Sequence, residues 1–372
     1  MNKIRILQIG KYYYPYIGGT ENHLLTLVNE IKKEVEIEVL VANTRLKTAI
    51  EKDDGIDIYR IASLGSLFSV PLTLSMPFWL KKKKADILHF HLPNPLAVIS
   101  FFLARPCGKV VVSYHSDIIK QRFFTPLFNP FLIKFLKKAQ CIIVTSENII
   151  RNSSILKKFK DKCKVIPYGI DISQFNPNQE VLKAAAEIRR SYDNPIILFV
   201  GRLVYYKGLE YLLEAMEDIK ARLLIVGEGP LKNRLKNLVK QLGICDKIIW
   251  IGEIENQKVA PYYYACDIFV LPSSIRAESF GIVQLEAFAC GKPVVSTNLP
   301  TGVPFVNLNE KTGLTVPPRN TRALAYAINE LLASAQLRRS YGQNGRARVQ
   351  NEFTKEKMAE EVLRVYNEII CN

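Results

Sequence analysis

Two glutamates within an otherwise apolar segment have the residue type and the spacing best suited to chemistry. Glu278 lies just before a predicted helix over residues 280–290, and Glu286 lies eight residues further along the chain. Eight helical residues advance about 12 Å and return a side chain to within roughly 80° of the same face. The pair therefore suits a ligand with hydroxyls at two distant points and an anion between them, as in a nucleotide sugar. Two solvated glutamates on an amphipathic helix are the alternative.

The apolar pattern predicts the elements that hold these glutamates. A strand ends at Leu271, a polar loop follows, and apolar residues three and four apart mark the helix before a second strand over residues 293–297. The first N–H groups of a helix lack partners within it and attract anions. The groups expected to receive an anion here are those of Phe280, Gly281 and Ile282.

The same residues resemble a known family. Glu278 and Glu286, with ESFG at the first and CGKPVVST after the second, resemble the signature of two glutamates separated by seven residues in retaining GT-B glycosyltransferases of family 4. In that family the first glutamate contacts the transferred sugar and the second contacts the nucleotide ribose. The resemblance implies an α/β protein of the GT-B class, in which two Rossmann-like doubly wound domains face a cleft.

Further segments match motifs of the same family. Arg202 and Lys207 follow a predicted strand, where two cations suit an anion, and they resemble the family's phosphate clamp. Gly18 and Gly19 follow the first strand and resemble the glycine pair that lies against the donor diphosphate. A structural arginine, a surface lysine and a simple glycine turn are the alternatives. The resemblance also implies that the base contacts backbone groups at a later strand end, those of Ile251 and Gly252.

Histidines follow or end two predicted strands of the first half. His89, His91 and His115 have no acidic or cysteine partner at ligand spacing, so no metal site is predicted. The resemblance implies that His115 lies beside the primary hydroxyl of the donor sugar and the acceptor. A loop histidine bonded to the backbone is the alternative. We therefore expect His115 and Glu278 to be the catalytic residues of a reaction that needs neither a metal nor a cofactor.

Strands alternate with helices along the whole chain, which favours parallel doubly wound sheets. Prolines exclude one continuous helix over residues 64–84, for which short helical pieces are predicted. The segment IPYGIDISQF resembles the family's hinge between domains. We expect an acceptor-binding domain over residues 1–172, joined by a C-terminal helix at about 355–372, and a donor-binding domain over residues 173–354.

The composition is that of a globular protein. The 372 residues are 48% hydrophobic and 23% charged, which suggests about two domains. Seven scattered cysteines without a CxxC pair indicate thiols in a reducing compartment. No apolar run is long enough to span a membrane, and the chain enters a strand at once, so neither a spanning helix nor a signal peptide is predicted.

The positive charge is concentrated in the first half. Residues 1–175 hold 26 basic and 14 acidic residues, hence +12 of the total net charge of +16, whereas the remainder holds 25 and 21. Five phenylalanines lie among cations within residues 123–135, a density typical of a helix at a lipid interface. Inward-packed phenylalanines and single-stranded nucleic acid are the alternatives. The residues expected to contact an anionic membrane are Lys81, Lys82, Lys83, Lys84, Phe123, Phe124 and Phe128.

The expected function is the retaining transfer of a hexose from a nucleotide sugar to a lipid-linked (polyprenyl-diphosphate) or polysaccharide acceptor in cell-surface glycan synthesis. HLPNP, YHSD and LPTGVP are similar to segments of a mannosyltransferase-like subgroup, so GDP-mannose is the favoured donor. The protein is expected in the cytoplasm, peripherally associated with the inner face of the cell membrane. The alternatives are a UDP-sugar donor, a soluble acceptor, a sugar-nucleotide epimerase of the same fold, and a basic nucleic-acid-binding module, which no nucleic-acid motif supports.

Overall fold

The computed structural model describes residues 3–16, 18–67, 70–117 and 125–371. The chain divides into two compact units, unit 1 (Met1–Gly169 with Lys355–Asn372) and unit 2 (Ile170–Thr354). The first boundary falls after Gly169 and not after residue 172, because the Ile170 N–H donates to the Phe353 carbonyl at 2.9 Å within unit 2. The C-terminal helix belongs to unit 1.

Strands and helices alternate through most of the described chain as predicted, except for the successive strands of residues 36–67 and 70–71 and the successive helices after residue 320. The strands are β1 (Arg5–Ile9), β2 (Glu36–Ala42), β3 (Ala49–Asp53), β4 (Ile56–Ile61), β5 (Ser66–Leu67), β6 (Val70–Pro71), β7 (Ile87–Leu92), β8 (Lys109–Tyr114), β9 (Ala139–Val144), β10 (Cys163–Val165), β11 (Ile196–Val200), β12 (Arg222–Val226), β13 (Ile248–Gly252), β14 (Ile268–Leu271), β15 (Val294–Thr297) and β16 (Gly313–Val316). The helices are α1 (Gly19–Ile31), α2 (Met76–Lys82), α3 (Pro95–Ala104), α4 (Thr125–Lys138), α5 (Glu147–Asn152), α6 (Gln179–Arg190), α7 (Leu209–Ala215), α8 (Lys232–Gln241), α9 (Ala260–Ala265), α10 (Val283–Ala289), α11 (Val303–Val306), α12 (Thr321–Ala333), α13 (Ala335–Glu352) and α14 (Lys355–Cys371).

The main sheet of unit 1 has the order β10-β9-β8-β7-β1-β2-β4-β3. Its pairs are parallel except that β3 runs antiparallel to β4 at the edge. Central β7 is buried along its whole length, as expected for a parallel strand covered on both faces. Apolar residues of α1 and α14 pack in one core cluster, and those of α3 and α4 pack in another. The predicted doubly wound sheet is confirmed.

One local prediction for unit 1 is wrong in part, and one strand of its sheet was not predicted. Ser66–Leu67 and Val70–Pro71 form the antiparallel pair β5–β6 in a segment where short helical pieces were expected, and the helix of this segment begins at Met76. Pro71 ends the second strand of this pair, whereas Pro77 occupies the first turn of α2, where a missing N–H costs nothing. Edge strand β3 was not predicted because its residues are mostly exposed and charged, which is how edge strands avoid further pairing.

Unit 2 contains a parallel sheet of order β13-β12-β11-β14-β15-β16. Numbered within the unit this is 3-2-1-4-5-6, the order of a Rossmann fold. Its strand order reverses between β11 and β14, where chains leave toward opposite sides of the sheet. Ligands of such sheets bind outside the carboxyl ends of the strands at this switch point, which directs attention to the loops after β11 and β14.

Candidate functional site

The loops that follow β11 and β14 touch at the switch point of unit 2. Gly208, in the loop after β11, has a φ of 65° in the left-handed region. A Cβ there would collide with the carbonyl oxygen of Pro272, in the loop after β14. The Ser274 N–H also donates to the Tyr206 carbonyl at 2.9 Å. Glycine is therefore required at 208 for the loops to approach this closely.

Lys207 and Glu278 form a mostly buried ion pair across these two loops. The Lys207 ammonium lies 2.6 Å from Glu278 Oε2, and the two side chains are 12% and 10% exposed. The Ser273 hydroxyl donates to the same oxygen at 3.0 Å. Burial alone would lower the pKa of Lys207, but the charge of Glu278 opposes it and the pKa is raised. The site therefore holds a fixed cation next to a fixed carboxylate.

Glu286 lies near the start of α10 and is anchored by a tyrosine from α9. The Tyr263 hydroxyl donates to Glu286 Oε2 at 2.7 Å. Burial raises the pKa of Glu286, while the Tyr263 hydrogen bond and the charge of Lys207 act to lower it. Lys207 thus interacts electrostatically with both glutamates, so the two carboxylates predicted from the sequence belong to one charged site.

Helix α10 begins at Val283, three residues later than predicted. Gly281 has a φ of 77°, which a right-handed helix cannot include, so the loop continues to Ile282. The N–H groups of Gly281 and Ile282 donate to no acceptor in the described part of the chain. The Phe280 side chain is buried in the core. The three residues named from the sequence therefore form the approach to the helix and not its first turn.

The remaining donor residues predicted from the sequence lie at the same carboxyl edge of the sheet. Arg202 comes two residues after the end of β11 and is exposed. Ile251 and Gly252 end β13. The Gly252 carbonyl accepts a hydrogen bond from the Gly227 N–H at 2.7 Å, so this carbonyl already has a partner at the sheet edge.

In unit 1 the glycine pair forms the start of α1. Gly18 is the N-cap residue and Gly19 is the first helical residue. A Cβ on Gly18 would collide with the carboxylate of Glu21, which is itself buried. Burial raises the pKa of Glu21. A diphosphate against this glycine pair would therefore meet a carboxyl group that the sequence analysis did not consider.

The four histidines of the sequence lie together in unit 1, and all are buried. His115 Nδ1 is hydrogen-bonded to the Tyr168 hydroxyl, and its Nε2 lies 3.1 Å from His91 Nδ1. Burial lowers the pKa of His115 well below its usual value, with His23 and His89 adding to the effect, so the ring is neutral. Because both ring nitrogens are engaged, contact between His115 and a sugar hydroxyl requires one of these hydrogen bonds to open.

The structure brings together a different set of three histidines from the one that the sequence analysis considered as possible metal ligands. Among the described residues, His23, His91 and His115 have ring nitrogens within 4.8 Å of one another. His89, considered from the sequence, faces Tyr366 and Ser113 instead. Hydrogen bonds between neutral rings account for the contacts of His91 and His115. Sequence analysis missed His23 because it reaches this group from α1.

Comparison with known proteins was made for both halves of the chain. Residues 17–174 match the family model described as Glycosyltransferase Family 4, and residues 182–348 match the model described as Glycosyl transferases group 1. Over 99% of both chains, the sequence is 31% identical to the O-antigen chain mannosyltransferase C of Escherichia coli. The chain is a family 4 glycosyltransferase. It is also 33% identical to a D-rhamnosyltransferase of Pseudomonas aeruginosa, over 73% of this chain and 70% of that one.

A solved structure supports the fold of this family 4 glycosyltransferase. The sucrose-phosphate synthase of Thermosynechococcus elongatus superposes with a TM-score of 0.85 at 26% identity, over 99% of this chain and 100% of that chain. Together with the two Rossmann-like sheets, this confirms the predicted GT-B fold.

The residues expected at a membrane are distributed differently in the glycosyltransferase structure. Phe123 and Phe124 lie outside the described residues, and Phe128 packs against the core of unit 1. Lys83 points inward, since its ammonium lies 2.6 Å from Glu38 Oε1, so assigning it to a membrane is wrong. Lys81, Lys82 and Lys84 are exposed. Within the described ranges, no helix combines the length and the hydropathy that crossing a bilayer requires.

Proposed function

We propose that this glycosyltransferase moves mannose from GDP-mannose to a lipid-linked or polysaccharide acceptor with retention of configuration. The observation that carries the proposal is the buried Lys207–Glu278 pair beside Glu286 at the switch point of unit 2. A cation flanked by two carboxylates matches a ligand that has a diphosphate between two groups of hydroxyls. The choice of mannose follows the likeness to the Escherichia coli mannosyltransferase.

Each residue of the donor site has a role that its environment supports. Lys207 and exposed Arg202 neutralise the diphosphate, whose charge grows as it leaves, while Glu278 holds hydroxyls of the sugar. Glu286 accepts from the ribose diol, and the Tyr263 hydrogen bond fixes its orientation. The backbone of Gly18 and Gly19 belongs to the same proposed site, as does that of the loop preceding α10. No metal or cofactor takes part.

His115 is proposed to contact the reacting end of the sugar from unit 1. A neutral imidazole suits this role, because a cation there would oppose the positive charge that develops on the sugar ring in the transition state. Engagement of the donor then replaces one of the two hydrogen bonds that His115 makes. Ile251 and Gly252 are proposed to receive the base through backbone groups.

Membrane docking is proposed for an exposed apolar surface on α2, α3 and α4, which pack side by side in unit 1. Its exposed residues, called here the apolar face, are Phe78, Ile99, Leu103, Leu127 and Phe131. The Lys82 ammonium lies 4.2 Å from the centre of the Phe78 ring. Each basic residue near an anionic surface is worth about 1 kcal/mol, so several lysines and a few inserted side chains bring the protein to the inner face of the cell membrane.

The test of the donor is titration calorimetry with GDP-mannose, UDP-glucose and ADP-glucose, followed by product analysis with labelled donor and lipid-linked acceptor. Of the three donors, only GDP-mannose is expected to bind, and the labelled mannose is expected to be transferred to the acceptor. Preference for another nucleotide overturns the assignment of GDP. Conversion of the sugar nucleotide without an acceptor indicates an epimerase instead.

A further inference from the structure

The hydrogen bonds among the buried histidines form one continuous chain, of which the proposed function uses only His115. The chain runs through side chains from β1, β7, β8, the hinge segment and α14. Its members are Tyr168, His115, His91, Gln8, Tyr366, His89 and Ser113. Gln8 lies in the middle and is fully buried.

One arm of the chain leads from Gln8 to the hinge segment. Gln8 Oε1 lies 2.9 Å from His91 Nε2. His91 Nδ1 lies 3.1 Å from His115 Nε2, and the two rings are stacked at a centroid distance of 5.3 Å. His115 Nδ1 then meets the Tyr168 hydroxyl.

The other arm leads from Gln8 to the C-terminal helix. The Gln8 amide nitrogen donates to the Tyr366 hydroxyl at 3.0 Å. That hydroxyl lies 2.5 Å from His89 Nδ1, and His89 Nε2 lies 2.8 Å from Ser113 Oγ.

The position of each proton follows from the two ends of the Gln8 amide. A neutral imidazole has one N–H donor and one acceptor nitrogen, and an amide oxygen can only accept. Gln8 Oε1 therefore requires the proton of His91 on Nε2, which makes Nδ1 an acceptor for His115 Nε2–H. His115 Nδ1 in turn accepts from the Tyr168 hydroxyl. The buried Tyr366 hydroxyl accepts from Gln8 and has His89 Nδ1 as the acceptor for its own proton, so His89 carries its proton on Nε2 and donates it to Ser113.

We propose that Gln8 is a positioning residue that fixes His89, His91 and His115 as the same Nε2–H tautomer and so sets the orientation of His115. The role of His115 in catalysis rests on the proposed function, but the tautomers do not. Burial supports the neutral forms, since it lowers the pKa of His89 to about 3 and that of His91 well below its usual value. Tyr168 and Tyr366 take part as donors.

The first experiment reads the tautomers directly in the full-length protein. Two-bond ¹H–¹⁵N correlation spectra of ¹⁵N-histidine-labelled protein contain signals from only four histidines. Each is assigned from a single histidine-to-glutamine variant. We expect Nε2–H for His89, His91 and His115, unchanged between about pH 6 and 8 because the rings stay neutral. An Nδ1–H form of any of the three, or titration within this range, overturns the proposal.

The second experiment separates the two arms and tests positioning. Tyr366→Phe removes one hydroxyl and should change the His89 signals, while those of His91 and His115 persist. Gln8→Met, which keeps the side-chain length, should change the signals of all three histidines. Misplacement by about 1 Å costs up to 10²-fold, so we expect kcat to fall roughly tenfold or more in Gln8→Met and less than about threefold in Tyr366→Phe, with KM little changed in both.

The outcomes distinguish this inference from the proposed function. Wild-type tautomers as assigned, with equal activity of Gln8→Met and the wild type, would refute the positioning role while leaving the donor site untouched. An inactive wild type with the assigned tautomers would refute the proposed function alone. If Gln8→Met fails to fold, the wild-type spectra and Tyr366→Phe still decide the assignment.

Discussion

The ion pair of Lys207 and Glu278 allows a direct test of the donor site, because each partner can be removed alone or with the other. In Lys207→Met the Glu278 carboxylate stays mostly buried and loses its cation, while Ser273 still donates to it. Removing one partner of a buried pair costs about 3–5 kcal/mol. We expect the lower end, about 3 kcal/mol, because the Ser273 hydrogen bond remains.

The assay is a double-mutant cycle on the free energy of unfolding, measured by urea denaturation. Lys207→Met, Glu278→Gln and the double variant are compared with the wild type. A loss of about 3 kcal/mol lowers the Tm by roughly 6–12 °C in a domain of this size. The double variant should lose less than the sum of the single variants, with a coupling energy of about 2 kcal/mol. Lys258 and Glu255 form a matched control at 2.9 Å, both 71% exposed.

A coupling energy below about 0.5 kcal/mol for Lys207 and Glu278, equal to that of the exposed pair, would refute the reasoning. It would mean that the two charges are solvated independently, so the fixed cation on which the donor site depends would not exist. A large coupling with unchanged GDP-mannose affinity in Lys207→Met would leave the pair structural and remove the lysine from the donor site.

Three further predictions follow from other parts of the molecule. Glu286→Ala should weaken GDP-mannose binding by about 1–3 kcal/mol in calorimetry, whereas Tyr263→Phe should weaken it less. Binding by Glu286→Ala as tight as that of the wild type would exclude the ribose contact. Phe131→Ser should reduce sedimentation with anionic vesicles, whereas Tyr326→Ser, an equally simple change at a residue of unit 2 that is 74% exposed, should not; indifference of both variants would remove the apolar face from membrane binding. Burial lowers the pKa of His89 to about 3, so the unfolded chain takes up the proton first as the pH falls below about 6.5. The stability supplied by neutral His89 is therefore complete above pH 6.5, and the free energy of unfolding should fall by about 1.4 kcal/mol per pH unit toward pH 3. Urea titrations at pH 7 and 5 measure this fall, which should be smaller in His89→Gln than in the wild type. An equal fall in both proteins would contradict the prediction.

The parallel sheets were predictable because their cause is local. β7 is a run of buried residues, and strands of this kind alternate with amphipathic helices along the chain. The spacing of Glu278 and Glu286 was likewise visible in the sequence. The cation that pairs with Glu278 was not visible in the sequence. Lys207 lies beside Glu278 because the loops after β11 and β14 meet where the strand order reverses.

The start of α10 could not be predicted from the apolar pattern alone. Val283 and its neighbours continue the helical spacing back to Phe280, but the left-handed conformation of Gly281 interrupts it. A tertiary contact also requires glycine at this position, since a Cβ there would lie 2.6 Å from Leu271 Cδ2. A single glycine thus places the helix start three residues later than its hydrophobic spacing indicates.

Residues that act through long-range contacts were missed for the same reason. His23 and Tyr263 have ordinary sequence surroundings, and only packing brings His23 beside Tyr168 and Tyr263 to Glu286. Phe128 shows the converse, because aromatic density suggested a surface whereas the side chain packs against the core. A pattern of residue types indicates which faces are apolar but not which neighbour covers them.

The C-terminal helix has a consequence for how the protein is made. Tyr366 of α14 bonds Gln8 of β1, 358 residues earlier in the chain. Unit 2 is one continuous segment, whereas unit 1 lacks α14 until the residues after Thr354 have been synthesised. Unit 1 therefore begins before unit 2 in the chain and is completed after it. Until then the apolar residues of α1 that pack with α14 lack part of their cover, so a chain truncated before Lys355 would contain all of unit 2 but an incomplete unit 1.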